Sequence, residues 1–198
     1  EKIAEAGRPV ICSTGGLALH EIDELVSFFN HRGVNFSLMH CVSIYPTPTV
    51  MLNLNTIDLL RRRYPEVVVG WSTHEDPTDM APIAIAYGKG ARMFERHIGV
   101  ETTSVTLNQY SSTPELIDAW FGSYRHAQEA CGVVGSREVS DQEIDALQGL
   151  KRGVYARRAI KKGESLTSED VFFAIPYRDG LVSSGDWREG SVAKQAIK

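Results

Sequence analysis

Cysteine is scarce, and Cys12, Cys41 and Cys131 lie too far apart for zinc-ligand spacing. An odd, sparse set also argues against a secreted disulfide scaffold, so a reducing cytoplasm is the expected setting. No apolar run approaches the roughly 18–20 residues of a membrane-spanning helix, and no signal-peptide pattern opens the chain. Excess positive charge is missing too: 21 Lys and Arg against 25 Asp and Glu leave a net charge of −4. A nucleic-acid partner, which selects for a basic face, is therefore not expected. Walker, HExxH, nucleophile-elbow and dinucleotide fingerprints are all absent. What remains is globular in texture, 42% hydrophobic and 23% charged, with length for one domain of ordinary size or one plus a small appendage. The chain opens on Glu1 in what reads as a helix tail and stops in mid-pattern at Lys198, which predicts a fragment of a longer protein.

Short β-rich runs alternate with amphipathic stretches. Strands are expected at Val10 to Ser13, Phe36 to Val42, Val67 to Ser72 and Arg92 to His97. Between them Ile22, Leu25, Val26 and Phe29 keep helical spacing, as do Met80, Ile83, Ala84 and Tyr87. Leu54, Ile57, Leu60 and Tyr64 fit a third helix, closed by Pro65. Thr113-Pro114 opens a fourth, with Ile117, Trp120, Phe121 and Tyr124 facing inward. This is the rhythm of βα units with parallel strands buried on both faces, either an open doubly wound sheet or half of a (β/α)8 barrel. Residues 136–150 read as a linker helix with a Ser140/Glu143 capping box, and residues 151–198 as a small β-rich module. The first 135 residues hold the four βα units.

Polar residues gather just after each strand, where both architectures place their sites. His74 and His97 end neighbouring strands about 4.8 Å apart, so two imidazoles there could share a divalent ion or merely donate to backbone carbonyls. Ser13, Ser43 and Ser72 could help bind a phosphate or carboxylate, or simply cap the following helices. Tyr45 stands in a stiff Tyr-Pro-Thr-Pro loop. His40, inside its strand, reads as structural. The runs at Arg61–Arg63 and Lys161–Lys162 read as solvated faces.

STGG after the first strand, HCVSIYPTP after the second, GWSTHE after the third and FERHIG at the fourth resemble the sialic acid (N-acetylneuraminate) synthase family. KRGVYARRAIKKGESLTSEDVFFAIP resembles the antifreeze-like (SAF) domain that follows the barrel in that family. The resemblance implies an α/β fold: the C-terminal half of a (β/α)8 TIM barrel, then a SAF (β-clip) domain. It implies a transferase that condenses phosphoenolpyruvate with an N-acylated amino sugar of the N-acetylmannosamine type, giving a nonulosonic 2-keto acid and phosphate. The implied cofactor is a divalent metal, manganese, with His74 and His97 at the positions of the family's two histidine ligands. Ser13 and Ser72 match positions that contact phosphoenolpyruvate, and Tyr45 an aromatic of the sugar pocket. The implied assembly is a cytoplasmic homodimer whose SAF domains are exchanged.

Several positions depart from the family pattern. Ser43 stands for an asparagine and Thr73 for an aspartate. Asn108 replaces an aspartate that holds the sugar; it can hydrogen-bond a hydroxyl but cannot act as a base. Ala174-Ile175 stands where the family carries an arginine over the acyl group, leaving Arg178 as the nearest substitute. The family's phosphoenolpyruvate lysines, and a glutamate near the reacting carbons, have no counterpart in these 198 residues, so no catalytic acid or base is assigned and the chain alone is expected to be inactive. Two other functions fit the same scaffold: a metal-dependent aldolase or hydrolase, and a non-catalytic carbohydrate-binding relative.

Overall fold

The structure is a computed structural model that describes residues 2–198, so the Glu1 end of the expected first helix lies outside the described residues. It divides into two compact units at Gly132/Val133. In the first, α1 (Lys2–Glu5) leads to β1 (Val10–Ser13), α2 (Leu19–His31), β2 (Phe36–Cys41), α3 (Asn55–Arg63), β3 (Val68–Thr73), α4 (Ala81–Gly88), β4 (Phe94–Arg96) and α5 (Pro114–Cys131). The four strands pair in parallel in the order β1-β2-β3-β4. Strands alternate side chains between faces, and the register puts Cys12, Leu38, Val69, Trp71 and Phe94 on one face. These pack in a single cluster with Ile22, Val26 and Phe29 of α2, Ile57 and Leu60 of α3, Ile83 and Ala86 of α4 and Trp120 of α5.

The helices therefore cover one face of the sheet, not both. A doubly wound sheet carries helices on both faces and reverses its strand order. Sequential order with helices on one side is the wall of a (β/α)8 barrel, and a partial TIM barrel is the architecture that this unit fits. The expectation that every strand is buried on both faces fails at β1, where Ile11 is 58% exposed on the face the helices leave open. Phe121, expected to face inward on α5, is 46% exposed; Trp120 and Ala127 are the buried positions of that helix.

Local signals account for the element ends. Thr113 Oγ1 accepts from Leu116 N at the start of α5, with Pro114 at the first helical position. The Ala18 N–H at the start of α2 donates to Glu21 Oε2. A Cβ at Gly70 would lie 2.4 Å from Met39 Sδ and 2.6 Å from Met93 O, so β2 and the approach to β4 close on β3 at a residue without a side chain.

The second unit contains α6 (Asp141–Gln148) and the antiparallel pair β5 (Gly153–Ala156) and β6 (Val171–Ala174). Isolated bridges join Gly153 to Ser183, Ile160 to Ile197 and Ser165 to Val192. Its buried apolar cluster is Ile160, Leu166 and Ala193, with Ala156 and Trp187 packed beside them. Ser140 Oγ accepts from Glu143 N, which is half of the expected capping box. The other half is replaced, because Arg137 holds the Glu143 carboxylate with two hydrogen bonds of 2.6 and 2.8 Å.

Candidate active site at the strand ends

Thr73 and Arg96 are register partners at the ends of β3 and β4, so the next residues, His74 and His97, stand side by side. Their ring centroids are 5.2 Å apart. His74 is 5% exposed, while His97 is open to solvent. Burial pulls the His74 pKa below the ordinary imidazole value, a hydrogen bond to the Val42 backbone pulls the other way, and His97 adds to the lowering. A neutral imidazole with one nitrogen engaged leaves the other with a lone pair, the form that ligates metals.

Aromatic rings wall the pair. Tyr45, exposed and joined to Pro46 by a cis bond, packs its ring 4.3 Å from that of His74. Tyr110 lies 5.2 Å from Tyr45 and 5.0 Å from His97. Asn108 Oδ1 accepts from the Tyr110 N–H and so shapes the loop that carries this ring.

Below the histidines, Ser72 Oγ donates to Glu95 Oε1 at 2.9 Å. Ser72 is buried, and its single proton is committed to that carboxylate. Cys41 follows the same alternation, with its Sγ 4.0 Å from His74 Nδ1. Ser13 is exposed, and its Oγ accepts from Gly15 N. Ser43 lines an open cleft of about 510 Å³ with Thr14, Asn53, Asn55 and Thr56; the histidines do not line it, but Cys41 does and joins it to the His74 side. Arg178 belongs to the second unit, in the exposed turn after Pro176. His40 is structural: its Nε2 meets Leu52 O at 2.8 Å, and burial lowers its pKa.

A metal fits this donor set in part. Two neighbouring imidazoles suit Mn²⁺, Co²⁺ or Zn²⁺, yet among the described residues no three His, Cys, Asp or Glu side chains gather as a complete metal-holding group. Further ligands would have to be water or substrate oxygens, or protein groups beyond the described residues.

The model of the NeuB family matches residues 1–135, which carry the whole parallel sheet and both histidines. The chain belongs to the NeuB family. A NeuB-family relative of Drosophila melanogaster, N-acetylneuraminate-9-phosphate synthase, is 27% identical over 208 residues, covering 92% of this chain and 55% of that protein. An uncharacterized protein of Methanocaldococcus jannaschii is 32% identical over 180 residues, covering 90% of this chain and 52% of its own. Among solved structures, the putative spore coat polysaccharide biosynthesis protein E of Chromobacterium violaceum is 40% identical, with a TM-score of 0.84 over 99% of this chain and 59% of its own. The chain thus spans about half the length of the curated relatives it matches.

Three features of the candidate site carry no mark in the sequence reading. Glu95 could have been found, since it lies two residues before His97 and therefore on the same face. Tyr110 carries no such signal, because a loop has no period. The third is a buried ion pair behind the histidines, Glu75 with Arg96, whose partners are 21 residues apart. Among the described residues, no helix is long and apolar enough to cross a membrane.

Proposed function

We propose that the intact protein is a nonulosonic acid synthase, condensing phosphoenolpyruvate with the open-chain aldehyde of an N-acylated amino sugar. The observation that carries this reading is the His74–His97 pair at adjacent strand ends, under an aromatic wall, within a NeuB-family sheet. In the reaction, C3 of phosphoenolpyruvate forms a bond to the aldehyde carbon, water adds at C2, and inorganic phosphate leaves to give the 2-keto acid. His74 and His97 would hold a divalent metal, Mn²⁺ in this reading, which supplies Lewis-acid polarisation of the aldehyde oxygen. Tyr45 and Tyr110 offer flat apolar surface to the acceptor, and Ser13 faces the phosphoenolpyruvate anion; Ser72 would join it only by giving up its hydrogen bond to Glu95. Asn108 sets the Tyr110 loop and can hydrogen-bond an acceptor hydroxyl through its amide, which favours an acceptor different from that of relatives with aspartate there.

Residues 151–198 are, in this reading, a SAF-like domain, and the protein is a homodimer in which Arg178 reaches the partner's sugar site. The test is release of inorganic phosphate from phosphoenolpyruvate by the intact protein with Mn²⁺, across N-acetylmannosamine and diacetamido hexoses. Release with one sugar, abolished by chelator and by His74→Ala, is expected. No release with any sugar despite bound Mn²⁺ overturns the synthase reading in favour of an aldolase or a binding protein. Gel filtration giving monomer alone overturns the exchanged dimer.

A further inference from the structure

Glu75 directly follows His74, and Arg96 directly precedes His97. Because side chains alternate across a strand, both turn to the face opposite the histidines, where they meet. Arg96 Nη1 donates to Glu75 Oε1 at 2.5 Å, with the two side chains 2% and 1% exposed. The link runs diagonally, from one residue past the first histidine to one residue before the second. Ser112, fully buried, completes it. Its Oγ accepts from Arg96 Nε, and its backbone N–H donates to His97 O at 2.9 Å. Each histidine is therefore one rigid peptide from an anchored neighbour, and His97 is tied to Ser112 as well.

A buried ion pair is weak evidence for stability. Among the described residues Glu75 Oε2, Arg96 Nη2, Thr73 Oγ1 and Trp120 Nε1 are buried and meet no hydrogen-bond partner, and a buried pair with unmet polar atoms is commonly no more stable than an apolar replacement of equal volume. What such a pair supplies is a fixed geometry between two chain segments, and these two segments carry the histidines.

We propose that the Glu75–Arg96 ion pair, braced by Ser112, is a positioning element that sets the separation and aim of the His74 and His97 rings for a shared metal ion. This rests on the reading of the two histidines as ligands. The test is Mn²⁺ affinity of the intact protein, read by electron paramagnetic resonance of free Mn²⁺, together with thermal unfolding. Glu75→Gln is expected to weaken Mn²⁺ binding by roughly 10–100-fold, the usual cost of disturbing groups that orient ligands. Glu75→Leu/Arg96→Met restores the melting temperature by removing the unmet charges, yet keeps the weakened Mn²⁺ binding. Ser112→Ala, which removes the brace and keeps the ion pair, is expected to weaken it less. A double variant, or Ser112→Ala, that unfolds like wild type and binds Mn²⁺ like wild type makes the pair purely structural and overturns the proposal. Absence of Mn²⁺ binding by the wild type overturns the ligand reading itself and the positioning role with it, an outcome distinct from the first.

Discussion

The two units hold themselves together differently. In the first, one apolar cluster runs from Cys12 to Trp120 and takes residues from all four strands and from α2 to α5. In the second, Ile160, Leu166 and Ala193 make up the buried cluster, and polar links surround them. Arg158 reaches both Glu164 and Asp170, while Asp170 also accepts from the Thr167 N–H and hydroxyl. Exposed ion pairs contribute little each, so the second unit owes its order to backbone bridges and turns more than to burial. The lesson concerns function: the unit with the large core is the one that can hold a buried, partly unsatisfied ion pair beside its site.

That contrast can be broken, most sharply at Leu60, which is completely buried between α3 and the sheet. Leu60→Ala should cost about 2–5 kcal/mol in denaturant unfolding; a change below about 1 kcal/mol would mean the core relaxes to fill the gap. Leu166→Ala removes a third of the small cluster but leaves little enclosed space, so a smaller loss is expected. It is best read as lost amide-exchange protection at Leu166 and Gly190, which are bonded to Ser191 and Leu166 carbonyls. Unchanged protection there would show that the bridges hold without the core. Ser140→Ala should lower the stability of α6 by about 0.5–2 kcal/mol, measured by helix-resolved exchange, and Arg137→Ala should add to that loss.

The smallest effect is a pH dependence in the first unit. Hydrogen bonds from Arg63 and then Tyr64 hold Asp23 down to about 2, from an ordinary value of 3.8. As pH falls below 3.8 the unfolded chain takes up this proton before the folded one does. The stabilisation is thus complete above 3.8 and gone once pH passes about 2. Asp23→Asn should flatten that part of the acid unfolding curve, and an unchanged slope would assign it to other carboxylates.

Much of the first unit was legible because its residues repeat. Ile22, Val26 and Phe29 keep helical spacing, and Val10–Ser13 was read with its observed ends. Placing His74 and His97 together needed only strand ends and parallel pairing. Phe121 misled because α5 buries a narrow stripe through Trp120 and Ala127, and a ring one position away falls outside it. The capping box formed only in its Ser140 half, because Arg137, outside the motif, holds the Glu143 carboxylate instead of the backbone. Nothing in one dimension links Glu75 to Arg96, 21 residues apart; only the pleat, which turns them away from the histidines and toward each other, makes them a pair.

Gly70 limits how this sheet can vary. Its backbone is not left-handed, so alanine could adopt the same conformation, yet the added methyl would press on Met93 O, which is already held by the Trp71 N–H. The obstacle is a carbonyl, which cannot swing aside as a side chain does. In a saturation mutagenesis screen position 70 should therefore be a column without survivors, for a reason of backbone space alone.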